Sequence, residues 1–357
     1  LEVGYNFEFK KNQMDIHRDT ISTNRYEPVF IDNSRTTRFL YNEYTHAVYA
    51  TYLREFGSFG LLAGLRGEIT RTISNLLSED SVIRHHYARL YPSIHTYYKI
   101  TENHELQLNY SRRISRPNDE QLNPYPQYLD LLNIPVGNPH LMPEDIHSIE
   151  LGYSFKKESI SFLSTLYYRY TQNSITTISE AHGDTLISTL RNLSKNQATG
   201  LELLFSAGIG RLAKINLGSN IFYNVIDASA LGYSKNKSIV SLTAKANVIM
   251  NLSKNTGWQI SSNYTGKRLT PQGMLLPSFM LNTGIRQKIF KNKGSLILTV
   301  SDVFNSLRSN MIIDTPNLQR HEYRKRSARM VYFGFVYSFG SNGKKEKESS
   351  LQFDNKM

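Results

Sequence analysis

The sequence predicts an all-β protein, a transmembrane antiparallel up-and-down β-barrel, from three observations. Apolar and polar residues alternate with a period of two along most of the chain, which indicates strands with two chemically different faces. The connections between these segments alternate between short and long, as in a barrel with short turns at one rim and long loops at the other. No run of about 18 apolar residues occurs, so no transmembrane helix is predicted.

About fourteen segments alternate in this way, each close to the roughly 9–11 residues that a tilted strand needs to cross a bilayer. In VSLTAKANVIMN, Val240, Leu242 and Val248 share the apolar face, whereas Ser241 and Lys245 lie on the polar face. The predicted strands are 1–10, 38–55, 60–71, 89–100, 105–115, 146–156, 159–173, 196–207, 214–226, 238–252, 257–266, 278–290, 295–306 and 328–340.

The predicted connections fall into two classes that alternate along the chain. An antiparallel β-sandwich is the alternative fold, since its strands also alternate, but a sandwich has no reason to sort its loops by length. The short connections, rich in Gly, Asn or charged residues, are 56–60, 101–104, 156–159, 208–213, 253–257 and 291–294. The long ones are 11–37, 72–88, 116–145, 174–195, 227–237, 267–277 and 307–327.

The amino-acid composition limits the kinds of site and partner that the chain can have. The 357 residues include 23 Tyr and 17 Phe but no Cys, which excludes disulfides and thiolate metal sites. Tyr and Phe near strand ends would form aromatic girdles against outer-membrane lipid and lipopolysaccharide. The net charge of +12 comes mostly from scattered Lys and Arg, so we expect no nucleic-acid partner.

The last predicted strand, MVYFGFVYSFG, ends the periodic part of the chain. Its Gly334, Tyr337 and Phe339 are arranged as Gly-x-x-aromatic-x-aromatic. This arrangement resembles the signal by which the barrel-assembly machinery recognises the final strand of outer-membrane proteins. Residues 1–340 are therefore predicted to form the barrel, and residues 341–357 a polar, disordered periplasmic tail.

Two quoted segments carry a family resemblance. SRPNDEQLNPY and GNPHLMPEDIHSIELGYSF resemble the barrel of TonB-dependent outer-membrane receptors, in which an arginine-serine-proline loop leads to a GNPxLxPE motif and an ELGY-type strand. AVYATYLREFGSFGLLAGLRGEIT, LYPSIHTYYKIT and SDVFN resemble the outer-membrane barrel family common in Bacteroidota. The resemblance covers nearly the whole chain, although Met142 stands where that family often has Lys.

The resemblance implies active uptake in a Gram-negative outer membrane, with a substrate bound by extracellular loops and a plug domain moved through TonB. Neither a plug nor a TonB-contacting segment is found in the sequence, and receptors of this family have about twenty-two strands. We therefore expect the C-terminal part of a longer receptor. The alternative is a truncated product that closes as a smaller barrel. Other functions are a passive porin-like channel or a structural outer-membrane barrel.

The candidate substrate-binding residues lie where a predicted strand reaches the outer rim. Arg113 and Arg116, with Arg112, would attract an anionic small molecule or oligosaccharide, or would pair with lumen or rim carboxylates such as Asp119, Glu120 or Glu150 or with lipopolysaccharide. Tyr125 and Tyr128 would stack on a ligand or pack the loop on itself.

No catalytic constellation and no cofactor motif are found in the sequence, so we do not expect an enzyme. His85 and His86, near Glu79 and Asp80, are the one combination that suggests a metal. Two adjacent loop histidines are weak support for such a site, and we predict none.

Overall fold

The computed structural model describes part of the chain in detail. Within that part the protein consists almost entirely of β-strands, and no helix is long and apolar enough to cross a membrane. Tyr128 and the predicted tail lie outside the described residues. The described residues are 1–16, 19–20, 30–31, 37–77, 80–127, 132–193, 195–233, 236–325 and 327–339.

The strands differ greatly in length, and the long ones coincide with the predicted transmembrane segments. One short helix, α1 (Asp119–Leu122), follows the seventh strand. The strands are β1 (Glu2–Ile16), β2 (Asp19–Thr20), β3 (Phe30–Ile31), β4 (Thr37–Phe56), β5 (Phe59–Leu76), β6 (Ser81–Thr101), β7 (His104–Ser115), β8 (Asn133–Val136), β9 (Glu144–Lys157), β10 (Ile160–Gln172), β11 (Ile175–His182), β12 (Thr185–Asn192), β13 (Lys195–Ile209), β14 (Ala213–Asp227), β15 (Lys237–Asn251), β16 (Thr256–Thr265), β17 (Arg268–Thr270), β18 (Gly273–Leu275), β19 (Ser278–Ile289), β20 (Gly294–Ser301), β21 (Arg308–Thr315), β22 (Leu318–Lys325) and β23 (Met330–Tyr337).

Fourteen strands form a single antiparallel sheet in up-and-down order. The order is β1-β4-β5-β6-β7-β9-β10-β13-β14-β15-β16-β19-β20-β23, so each strand pairs with the barrel strands before and after it in the chain. Each predicted strand overlaps one of these fourteen, which confirms the predicted all-β fold and strand number. Within the described residues the sheet is not closed, because β1 pairs there only with β4 and β23 only with β20.

The register separates an apolar outward face from a polar inward face. Leu108 of β7 lies opposite Leu151 of β9, which lies opposite Leu166 of β10, and each of the three is about half exposed. On the inward face, Thr70 and Glu68 of β5 are buried against neighbouring strands and loops. A sheet that is apolar outside and polar inside matches what a bilayer requires of a barrel.

A lysine on the outward face should destabilise the barrel strongly. Replacing Leu108 with lysine is expected to lower the free energy of unfolding in lipid vesicles by about 2–4 kcal/mol, because the ammonium group would enter the hydrocarbon. The matched control is Gln107→Lys on the inward face, where Glu105 lies within hydrogen-bond reach of the Gln107 side chain. Equal unfolding free energies for the two variants would refute the outward assignment of Leu108.

Six short turns lie at one end of the sheet, here called the short-turn end. They connect strands through two to four residues, and Gly57 and Gly210 adopt positive φ values of 60° and 52° in two of them. Glycine accepts this left-handed conformation without the steric cost of a side chain. The turns are 57–58, 102–103, 158–159, 210–212, 252–255 and 290–293.

The opposite end, the long-loop end, carries the other connections and corrects one prediction. Residues 72–88 are not a loop, because β5 continues to Leu76 and β6 begins at Ser81. Both strands extend well beyond their apolar band, where neither face needs to be apolar, so the two-face contrast fades from the sequence. The connections at this end are 17–36, 77–80, 116–143, 173–194, 228–236, 266–277 and 302–329.

The SDVFN motif forms a turn, which corrects the predicted strand 295–306. β20 ends at Ser301, and the buried Asp302 folds the chain back on itself. The Asp302 carboxylate accepts hydrogen bonds from the backbone N–H groups of Ser306 and Leu307, at 2.8 and 3.0 Å. A side-chain acceptor that satisfies successive backbone donors favours a turn over a continued strand.

Candidate functional site

The loops at the long-loop end contain small sheets of their own. β11, β12 and β8 form a three-stranded sheet in which β8 runs parallel to β12, although the two strands come from different loops. β17, β18, β21 and β22 form a four-stranded antiparallel sheet that joins two further loops. These pairings tie neighbouring loops to one another, so the long-loop end is a folded surface.

Gln272 connects three of these loops. Its Oε1 accepts a hydrogen bond from the backbone N–H of Ser179, and its Nε2 donates to the Ser179 carbonyl, both at 2.7 Å. The same Nε2 donates to the Tyr233 hydroxyl at 2.9 Å. Since Gln272 is 3% exposed, this amide is a buried bridge between loops that are far apart in sequence.

The 116–143 loop begins with a capped helical turn. Asn118 accepts a hydrogen bond from the Gln121 backbone N–H at 2.8 Å, and Gln121 Oε1 accepts one from the Asn118 backbone N–H at 3.0 Å. This reciprocal capping box satisfies two otherwise unpaired donors and begins α1 at Asp119. Leu122 of α1 then packs into an apolar cluster formed with Phe39, Tyr41, Leu76, Tyr125 and Leu141.

The Arg116 side chain points into the barrel, so the positive charge that was predicted for the rim lies on the inward face. Its guanidinium donates hydrogen bonds to Glu68 Oε2 at 2.6 Å, Thr70 Oγ1 at 3.0 Å and the Tyr87 hydroxyl at 3.0 Å. Glu43 lies 3.7 Å from the same guanidinium. Pairing with lumen or rim carboxylates was one of the two alternatives, and the carboxylates beside Arg116 belong to the lumen wall of the barrel. Burial lowers the pKa of Arg116, but Tyr87 and Glu68 outweigh burial, so the net pKa is raised.

A second ion-pair group surrounds Asp145 at the end of the GNPHLMPED motif. Arg112 binds both carboxylate oxygens of Asp145, and Arg89 Nη1 donates to Oδ2 at 2.7 Å. Asp145 is 1% exposed, so two partly buried arginines satisfy an almost fully buried carboxylate. Paired in this way, Arg112 anchors the start of β9 to the strands beside it.

Asn138 in the same motif holds three segments together. Its backbone N–H donates to the Gln121 carbonyl at 2.7 Å, and its Nδ2 donates to the Leu190 carbonyl at 2.9 Å. Its Oδ1 accepts from the His140 backbone N–H at 2.9 Å. At the preceding Gly137, an added Cβ would lie 2.3 Å from the Asn123 carbonyl oxygen. The motif therefore links α1 to β12 through hydrogen bonds.

Removing the Asn138 side chain should weaken this link between α1 and β12. In Asn138→Ala, the Leu190 carbonyl and the exposed His140 N–H lose their side-chain partner, and since water can replace the bond at His140, we expect a cost of about 1 kcal/mol. We expect faster amide hydrogen exchange in α1 and β12 of the full protein. The control is His140→Ala at an exposed neighbour. Unchanged amide hydrogen exchange in Asn138→Ala would show that the Asn138 side-chain hydrogen bonds do not order the loop.

The predicted site residues do not form one site. Arg113 is exposed, and within the described residues no ion-pair partner is found for it. Tyr125 is 7% exposed in the apolar cluster, so its packing alternative describes its position. Tyr128 lies outside the described residues. Sequence reasoning missed Asp145 and Gln272, whose partners are remote in the sequence.

The residues of the predicted assembly signal lie on β23 and just beyond it. Gly334 is buried and lies opposite Ile297 of β20. The Tyr337 ring contacts the Phe339 ring edge-on at 4.7 Å between centroids, and Phe339 is 87% exposed. Tyr337 and Phe339 lie at the short-turn end of the sheet, and their recognition by the assembly machinery stays a prediction.

The inward face holds no grouped metal ligands in the part of the chain that the structure describes. His85 and His86 are successive residues of β6, so their side chains leave opposite faces of the sheet. His85 hydrogen-bonds to the Pro139 carbonyl at 3.1 Å, and His86 is exposed on the outward face.

A cavity of about 810 Å³ lies on the inward face at the short-turn end. Arg211, Lys254, Arg286 and Lys288 line it, together with uncharged residues. No carboxylate contributes to this lining, so the cavity favours a negatively charged or polar occupant.

Three solved transport proteins share the fold. The copper transporter OprC is 10% identical, with 94% of this chain and 56% of that chain covered and a TM-score of 0.66. The ferric yersiniabactin uptake receptor FyuA from Yersinia pestis is 11% identical, with 95% and 55% covered and a TM-score of 0.60. The siderophore receptor PirA from Pseudomonas aeruginosa is 14% identical, with 85% and 62% covered and a TM-score of 0.51.

These likenesses concern the fold, and the chain spans between about half and three fifths of each solved protein's length. No curated protein matches the sequence. The outer membrane protein beta-barrel family matches residues 1–337, which include every strand of the sheet. With its outward apolar face and inward polar face, this protein of the outer membrane belongs to the outer membrane protein beta-barrel family.

Proposed function

We propose that the chain is the C-terminal part of the barrel of a TonB-dependent outer-membrane receptor that imports a small molecule. The observation that carries the proposal is the fourteen-stranded open sheet whose long loops are folded together at one end. A passive pore needs no such assembly of loops, whereas a receptor needs a preorganised surface to select its substrate.

The open edges of the sheet support a larger barrel. In the part of the chain that the structure describes, β1 and β23 each leave one row of backbone amides without a partner strand. In hydrocarbon every such group must be satisfied, so a spanning sheet has to close. About eight further strands, the number that the receptor resemblance implies, would close the sheet as a twenty-two-stranded barrel.

The inward face fits a plug domain supplied by the rest of the receptor. Polar residues line it, and the basic cavity lies at the short-turn end, which faces the periplasm in this orientation. A plug segment carrying carboxylates would be complementary to this cavity. TonB would then act on the plug from the periplasm, while the substrate enters from the long-loop end.

Uptake by the source bacterium tests the proposal. A strain lacking the complete gene should lose accumulation of a probe drawn from copper ion, ferric siderophores and oligosaccharides, and the complete gene should restore it. Inactivation of TonB in the wild-type strain should abolish the same uptake. The proposal fails if the gene supports TonB-independent entry with ion conductance in planar bilayers, since that result describes a passive porin-like channel.

A further inference from the structure

The outward face of β1, β4, β5 and β6 carries a group of basic side chains near the long-loop end. The group consists of Lys11, Arg71, Arg84 and His86 and is here called the basic patch. All four side chains are exposed. The register places Arg71 directly opposite His86, and Lys11 and Arg84 lie in the next row toward the loops.

The rows below the patch are apolar and aromatic. Leu90 and Val48 lie in the same row, two outward-facing rows below Arg71 toward the membrane centre, and both are more than half exposed. In the row that contains Arg71, the Phe9 and Tyr44 rings stack with centroids 4.9 Å apart. Aromatic rings of this kind mark the boundary between hydrocarbon and headgroups. The basic patch therefore lies at the level of the headgroups of the outer leaflet.

No carboxylate neutralises the patch within the described residues. The outward carboxylate nearest to it on β1 is that of Asp15, which binds Arg38 Nε at 2.6 Å. Asp145, beyond the patch, is occupied by Arg89 and Arg112. Among the described residues, three permanent cations and a histidine thus face the same lipid surface without a carboxylate partner.

We propose that the basic patch binds the phosphate groups of lipopolysaccharide in the outer leaflet. Phosphate is the complementary anion at this depth, and the planar guanidinium groups of Arg71 and Arg84 can each bind two phosphate oxygens. The apolar rows below would contact the acyl chains of the same lipid. The inference depends on the outer-membrane location and on the register, and it is independent of any transported substrate.

Binding of purified lipid A by the complete protein tests the proposal. Native mass spectrometry in mild detergent should show about thirtyfold weaker binding of bisphosphorylated lipid A to Arg71→Gln/Arg84→Gln than to wild type. Each basic side chain near an anionic surface contributes about 1 kcal/mol, and 1.4 kcal/mol corresponds to a factor of about ten. Dephosphorylated lipid A should bind wild type as weakly as intact lipid A binds the double variant.

The control removes the same charge from the inward face, as Arg169→Gln/Lys245→Gln. This variant should bind lipid A like wild type, and heat-modifiability should confirm that both variants fold. Equal loss in both variants would assign the effect to net charge and overturn the proposal, as would wild-type binding by Arg71→Gln/Arg84→Gln. Displacement of lipid A by inorganic phosphate at equal concentration would assign the patch to free phosphate instead.

Discussion

Replacing both Arg89 and Arg112 with methionine is expected to lower the free energy of unfolding of the complete protein by about 3–5 kcal/mol. The reason is the Asp145 carboxylate, which is 1% exposed and would remain buried with only His147, 3.9 Å away, beside it. Methionine keeps much of the volume of arginine, so the loss of stability reports the removed charges rather than a cavity. Urea unfolding in lipid vesicles, followed by circular dichroism of the β-strands, measures the change.

Two further variants test whether the unpaired Asp145 charge causes this loss of stability. Arg113→Met alters an exposed arginine beside Arg112 and should change stability by less than about 0.5 kcal/mol. Adding Asp145→Asn to the double methionine variant should recover part of the lost stability, because a neutral amide costs less to bury than a carboxylate. If the triple variant is no more stable than the double variant, the unpaired charge is not the cause.

Replacing Arg116 with methionine is the second large effect that we expect. The substitution leaves the buried Glu43 without this cation and leaves Glu68 with Arg66 alone, whose Nε lies 2.5 Å from the Glu68 carboxylate. Because Arg66 remains, the cost should lie near the lower end of the range for a broken buried pair, at about 3 kcal/mol. The same urea measurement applies, with Arg113→Met again as the control.

A double-mutant cycle separates the Arg116–Glu68 pair from general disruption. The variants are Arg116→Met, Glu68→Gln and their combination, and their free energies should depart from additivity by more than about 0.5 kcal/mol. The combined variant should be less destabilised than the sum of the single variants, since neither partner is then left charged and alone. Strict additivity would show that the 2.6 Å contact contributes no coupling to stability.

The barrel was predictable because its signal is local. In VSLTAKANVIMN the contrast between Val240 and Ser241 repeats at every second residue, and lipid on one side preserves that contrast along the strand. The alternation of apolar and polar residues weakens where the strands extend beyond the lipid. In the extended hairpin of β5 and β6, outward Arg71 and inward Thr72 are both polar, so the sequence looked like a loop although the strands continue.

The candidate site was less predictable because its contacts join distant segments. Arg116 was identified as a rim cation, but its partner Glu68 lies 48 residues away and no local pattern connects them. Gln272 and Ser179, separated by 93 residues, show the same difficulty. The short strands of the loops are stabilised by such pairings rather than by their own alternation, so periodicity did not indicate them.

Cysteine labelling on intact cells tests most directly the central claim that the folded long-loop end is the external receptor face. These 357 residues contain no cysteine, so single substitutions report one position each once any cysteine elsewhere in the complete protein is replaced by serine. Asp184→Cys lies in the exposed turn between β11 and β12, and Lys254→Cys lies in an exposed turn at the short-turn end. A membrane-impermeant maleimide should label position 184 on intact cells and position 254 only after permeabilisation. Labelling of position 254 but not of position 184 on intact cells would contradict the account.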